Sequence, residues 1–262
     1  MRRIVNGLQS VDLIDQFVDD CRNEPFVPVV AKLAIAHCIL EAERESQFGS
    51  LNQNESQVRL RNFRDSWLGQ ICRRANPKTS RQRFPLTLAN TTFIVFNYDR
   101  CVEQYILHYA SNTLDKPVDK VGEMVREIPI LHPFGTLGLL SPIALDGNAG
   151  IGFGSSEHLS YAAKGIKTFT EEVDSEHGQR IRDVCGNAST IVFLGFHYHP
   201  QNMEILFRRS PMGKRIFGTT YAMSDRRTRE IESWFTEDGN DTNLEGLTCG
   251  EFLAKYGEDI FT

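Results

Sequence analysis

The apolar positions of this chain gather into short runs that stop abruptly at polar groups. The plainest is Phe93-Ile94-Val95-Phe96, preceded by Thr91 and Thr92 and halted at Asn97, Tyr98 and Asp99. An uninterrupted apolar run of this length is how a strand buried on both faces of a parallel sheet reads. Beyond it Cys101, Val102, Tyr105, Ile106 and Tyr109 recur at helical spacing, and Asp99 stands where it can cap that helix. The pattern returns in Ile128 to Leu131, ending at His132, and in Thr190 to Leu194, ending at Gly195 and Phe196. It returns again in Arg215 to Phe217, ending at Gly218 and Thr219. Strands alternating with helices predict an α/β fold with a Rossmann-like, mostly parallel sheet flanked by helices. If the four runs are parallel neighbours, their polar ends gather along the carboxyl edge, where open sheets take ligands.

The first third of the chain follows a different period. Ser10 can cap a helix carrying Val11, Ile14, Phe17 and Val18. Pro25 or Pro28 can open a second, striped by Val29, Leu33, Ala36 and Leu40 and turning acidic through Glu41, Glu43 and Glu45 towards a solvated end. Val58 to Arg74 has helical spacing through Leu60, Phe63, Trp67, Leu68 and Ile71. Glu171 to Cys185 predicts a further helix. One domain over residues 1–262 results, with an added N-terminal helical segment (8–85), a Rossmann-like core (86–236) and a C-terminal extension (237–262). That extension reads as a polar loop from Glu237 to Asn243 and a short helix around Phe252 and Leu253. Residues 141 to 170 are irregular, and Gly150, Gly152 and Gly154 have G-x-G-x-G spacing with no convincing strand ahead of them. A mobile loop or lid is expected there rather than a phosphate cradle.

Composition narrows the function classes. Of 262 residues 40% are hydrophobic and 24% charged, which is the balance of a folded globular chain. The formal charge is -5, so overall charge gives nucleic-acid binding no support. The one basic stretch, from Arg59 to Arg83, reads as a solvated face and loop. Six cysteines without a C-x-x-C pair predict reduced, buried thiols. His197 and His199 at i,i+2 have no companion Cys or acidic cluster, so no metal is expected. No apolar run has transmembrane length and Met1 to Gly7 lacks the apolar core of a signal peptide, which predicts a cytoplasmic protein without a membrane partner.

Three separated motifs, in order, resemble the sirtuin-like domain found in many bacterial proteins, including NAD-consuming antiphage defence proteins. They are Phe96-Asn97-Tyr98-Asp99-Arg100 with Glu103, then Ile130-Leu131-His132-Pro133-Phe134-Gly135, then Phe193-Leu194-Gly195-Phe196. The resemblance spans about residues 8 to 236. It implies NAD as substrate, with Asn97 holding the nicotinamide ribose and helping to position water, Asp99 approaching the carboxamide, and His132 as general base. Gly195, Phe196, Gly218 and Thr219 fall on the cofactor side, the two glycines letting backbone approach the adenosine half. The implied function is NAD+ hydrolysis with release of nicotinamide, in a homo-oligomer or with a fused or partner effector. The family's Gly-Ala-Gly-x-Ser loop, whose amides hold pyrophosphate at a helix N-terminus, has no counterpart in this sequence. Either a preceding segment supplies it or NAD binding is weakened or absent. The alternative is a catalytically impaired module that senses a nucleotide such as ADP-ribose, or that acts structurally through protein partners. No paired cysteines follow His132, so protein deacylation is not expected.

Overall fold

The computed structural model describes residues 18, 20–24, 26–52, 60–76, 88, 90–144, 150–167, 171 and 175–261. The helix expected after Ser10 lies almost wholly outside these residues, as do Arg59, Lys78, Arg81 and Arg83 of the basic stretch.

The fold is Rossmann-like α/β. Helix α1 (Val27–Glu45) opens with Pro28 in its first turn, where a missing N–H removes no intrahelical bond. Its buried stripe is Ala31, Ile35, Ala36 and Leu40, while Val29, expected on that stripe, is 58% exposed. The apolar period is therefore shifted at the first turn. Where the sequence predicts a solvated end, the stripe continues into Glu43, only 2% exposed. The next pattern breaks in two. A 3-10 turn at Arg61–Phe63 is followed by α2 (Trp67–Ala75), which restarts where the Ser66 hydroxyl accepts from the Gly69 N–H.

Strand β1 (Phe93–Ile94) leads into α3 (Cys101–Leu114), α4 (Val118–Arg126) and β2 (Ile130–Leu131). The two strands are parallel, Phe93 opposite Ile130 and Ile94 opposite Leu131. The short helix α5 (Leu159–Lys164) packs on α1. Then come α6 (Glu176–Asn187), β3 (Thr190–Phe193), α7 (Pro200–Leu206), β4 (Arg215–Thr219) and α8 (Asp225–Thr236). The chain closes with β5 (Asp241–Glu245) and α9 (Cys249–Ile260).

The strands expected as neighbours in one sheet form two parallel ladders among the described residues, β1-β2 and β3-β4-β5. What joins them is side-chain packing. Leu131 and Phe134 share a buried cluster with Phe193, Ile205 and Ile216, and Ile94 and Phe96 pack against it. Strand β5 replaces part of the expected polar loop. Its sequence, Asp241-Thr242-Asn243-Leu244-Glu245, carries one apolar residue because among the described residues it is an edge strand, paired to β4 alone. Helix α9 is closed by a capping box between Thr248 and Glu251 and packs on α2 and β4, tying the C-terminal segment to the N-terminal helices.

Candidate functional site

The carboxyl ends of β1, β2 and β3 do meet. The Phe96 ring lies 5.9 Å from that of Phe134 and 5.1 Å from that of Phe196. Each of these rings sits one or two residues from a predicted site residue, so aromatic packing brings Asn97, His132 and Gly195 to a common edge.

Asn97 is exposed in the turn after β1. Its main-chain carbonyl accepts from His132 Nδ1 at 3.0 Å, and His132 Nε2 lies 2.8 Å from Glu103 Oε1 on the first turn of α3. A carbonyl only accepts, so Nδ1 carries a proton. The Nε2 proton is then shared with the Glu103 carboxylate. His132 is 6% exposed. Burial opposes its charged form, but the Glu103 hydrogen bond and charge and the Asn97 carbonyl outweigh it and hold the pKa above the usual histidine value. Glu103 Oε2 is buried without a hydrogen-bond partner.

The turn itself is fixed at several points. Asp99 Oδ1 accepts from the Cys101 N–H at 3.1 Å, one residue ahead of the position expected for a cap: the N-cap of α3 is Arg100, whose side chain makes no capping bond. Thr136 Oγ1 donates to the Tyr98 carbonyl at 3.2 Å, tying the turn after β1 to the turn after β2. Arg100, one residue on, is 1% exposed and donates two side-chain bonds to Glu43, at 3.0 and 2.6 Å. Its other donors reach the Ile151 and Gly152 carbonyls, and Gly154 N–H joins Glu43 at 2.9 Å. The described part of the glycine segment is therefore packed where a mobile lid was expected, with Ile151 1% exposed.

On the cofactor side the residues divide. Gly195 is exposed and has φ of 62°, a left-handed conformation that a side chain would strain. Its N–H donates to Thr219 Oγ1 at 2.9 Å. Phe196 is half-buried in a ring cluster with Phe96, Phe193 and Tyr198. Gly218 and Thr219 are buried, and the space a Cβ on Gly218 would take is held by the Tyr198 hydroxyl. The close approach at Gly218 is thus to a side chain of the same protein. Asn97, His132, Gly195 and Phe196 line up at one edge; Gly218 and Thr219 lie beneath it.

Glu43, Arg100 and Tyr198 escaped the sequence reading. Glu43 stands among other glutamates, Arg100 follows a turn that invites solvent, and Tyr198 sits between two exposed histidines, His197 and His199. Among the described residues no group of three or more His, Cys, Asp or Glu is placed to hold a metal, and no helix is long and apolar enough to cross a membrane. Comparison with protein-family models, with curated proteins and with solved structures gives no match.

Proposed function

We propose that this is a sirtuin-like protein that hydrolyses NAD+ to nicotinamide and ADP-ribose, in the setting of bacterial antiphage defence. The observation that carries the reading is the Glu103–His132–Asn97 chain of hydrogen bonds at the carboxyl ends of β1 and β2. It presents an uncharged, exposed Asn side chain from a turn clamped by a buried imidazole. That suits the reaction. The bond between nicotinamide and ribose C1′ breaks with both electrons leaving on a neutral nicotinamide, so the departing group needs no acid. Water then attacks the oxocarbenium-like carbon and releases one proton to the surrounding solvent. Asn97 would hold the ribose and this water.

The resemblance implies a general base at His132. With both ring nitrogens engaged and the pKa raised, we assign His132 to positioning, its Nδ1–H fixing the Asn97 carbonyl. Incubation of the purified protein with NAD+, followed by chromatography of nicotinamide, tests the reading. Release that Asn97→Ala abolishes is the expected result. Intact NAD+ with both proteins would sink it.

A second reading has one observation in its favour. An imidazole held at both nitrogens and closed off from solvent suits a module that binds ADP-ribose or a similar nucleotide without turnover. Calorimetric binding of ADP-ribose in the absence of nicotinamide release would select it.

A further inference from the structure

Helix α1 buries one side and leaves the other bare. Ala31, Ile35, Ala36 and Leu40 face inward, where α5 packs against the helix. On the outer side Phe26, Val29 and Val30 are 77%, 58% and 45% exposed, and Ala34, Cys38 and Ala42 are exposed as well. Phe26, Val30, Ala34, Cys38 and Ala42 recur at intervals of four, so they form one ridge along the helix. From Phe26 to Leu40 the one charged residue, apart from the titratable His37, is Lys32, and its ammonium is paired with Glu171 at 2.9 Å. A helix that is apolar all round is one that is covered all round. Among the described residues nothing covers the outer side of this one.

The ridge is graded in two ways. Its first turns carry the bulky Phe26, Val29 and Val30, and its later turns only Ala34, Cys38 and Ala42. Charge is graded along the same direction. The first turn holds no acidic residue, so the positively polarised amide end stands unanswered. The far end carries Glu41 and Glu45. Glu41 is held by His37 and Arg44 within the helix, at 3.5 and 3.2 Å, which leaves the exposed Glu45 against the negative end of the dipole with no ion pair among the described residues.

An antiparallel second copy answers both gradients at once. Its bulky first turns come over the small side chains of the later ones, and its positive end comes over Glu45. The contact is then isologous and closes at two copies. A lipid surface fits less well, because helices that lie on a bilayer carry several Lys and Arg on the polar face, where α1 ends in Glu41 and Glu45. We propose that the outer side of α1 is a self-association surface, two copies of the chain packing ridge on ridge and antiparallel, with Ala34 and Cys38 at the crossing. The surface shares no residue with the Asn97–His132–Glu103 chain, and the inference stands apart from the NAD+ reading.

Sedimentation of the whole protein between about 1 and about 200 μM tests it, a range suited to the reversible dimer that a single helix crossing supports. A monomer–dimer equilibrium is the expected result. Ala34→Glu, a change at an exposed side chain, should weaken it at least about hundredfold, because two carboxylates would be buried unpaired at the crossing. A thermal melt confirms that this variant is folded. Glu45→Lys should weaken association about tenfold through the lost attraction to the partner's helix end, which symmetry counts twice. The same lysine complements the dipole of its own helix, so the melt should show no loss of monomer stability. Cys38, the one exposed cysteine of the six, should be joined to its counterpart by a short bismaleimide, and Cys38→Ser should abolish that species. A monomer at every concentration overturns the proposal. So does a dimer that Ala34→Glu leaves at full strength, which would place the contact on another face, or one that Glu45→Lys leaves unchanged or tightens, which would deny the antiparallel polarity.

Discussion

Glu43 and Arg100, 57 residues apart in the chain, form a bidentate ion pair sealed from water, with 2.6 Å between Arg100 Nη2 and Glu43 Oε2. The pair is fully committed. Glu43 also accepts from the Arg100 and Gly154 amides, and Arg100 also donates to Ile151 and Gly152. It therefore locks three pieces together: helix α1, the turn carrying Asn97 and Asp99, and the glycine segment. A buried pair need not stabilise a fold relative to an apolar replacement, but breaking one partner leaves the other charged and dry.

Glu43→Gln and Arg100→Met are each expected to lower the unfolding free energy by about 3–5 kcal/mol. In the double variant the loss should fall short of the sum by at least about 1 kcal/mol, since the second change removes the stranded charge left by the first. Urea unfolding of the four proteins gives the coupling directly. Additive losses would mean that the two side chains do not act as a unit. If the pair holds the Asn97 turn, the variants should also lose nicotinamide release while they are still folded.

How much of this could be read beforehand depends on which interaction sets each element. Strands β1 to β4 were legible because each lies in an apolar run, Thr190 to Leu194 most openly, although β3 is only half-buried until Phe193. Strand β5 was not, because an edge strand held by backbone bonds to β4 can be as polar as Asp241-Thr242-Asn243. The Asp99 side chain does bind an amide at the start of α3, at 3.1 Å, but from one residue ahead of the N-cap, Arg100, so the cap expected from local chemistry is displaced by one position. Glu43 could not be singled out from Glu41 and Glu45, since what buries it is Arg100 on another element. Asn97 and His132 do come together, but through the Asn97 main-chain carbonyl and a buried imidazole rather than as two side chains facing a common cleft. The closure of the imidazole between Glu103 and a carbonyl depends on a helix register that residue spacing does not announce.

The His132 assignment separates two pH profiles. Its pKa is raised in the folded protein, so the stability it contributes is present below the ordinary value of about 6.5 and is lost as pH rises through the folded value. If the imidazolium positions Asn97, nicotinamide release should fall on the alkaline side through that same ionisation. Glu103→Gln removes the acceptor that raises the pKa and should move this fall to lower pH. A base at His132 would give the reverse, with activity rising as pH climbs through the imidazole pKa. Rate profiles of the two proteins against pH decide between them.

Gly218 offers a test of packing beneath the edge. A methyl group there would overlap the Tyr198 hydroxyl and press on Leu244. Gly218→Ala is expected to cost about 1–3 kcal/mol in urea unfolding, as overpacking does in closed cores. Tyr198→Phe alone should cost less than about 1 kcal/mol, because the hydroxyl reaches the Thr219 carbonyl only at 3.5 Å. Combined, the two should cost less than Gly218→Ala by itself. A double variant no better than the alanine would place the obstruction at Leu244.

His108 supplies a pH effect of opposite sign from that of His132. It lies on α3 at 5% exposure, with Nε2 3.2 Å from the Gln104 side-chain nitrogen and Nδ1 buried without a partner. Among the described residues no carboxylate is placed to receive a second proton, and burial pushes its pKa down to about 4. A depressed histidine binds fewer protons folded than unfolded, so its stability is whole above the unfolded value of about 6.5 and drains away as pH falls towards the folded one. The loss by pH 5 should be about 2 kcal/mol. Replacing the pair, Gln104→Leu with His108→Leu, removes both the titrating ring and the amide that would be left facing it. Urea unfolding at pH 7 and pH 5 should then show a smaller acid loss in the double variant than in the parent, by about that amount. Equal losses in the two proteins would assign the acid sensitivity to other groups and show that His108 titrates as freely when folded as in the unfolded chain.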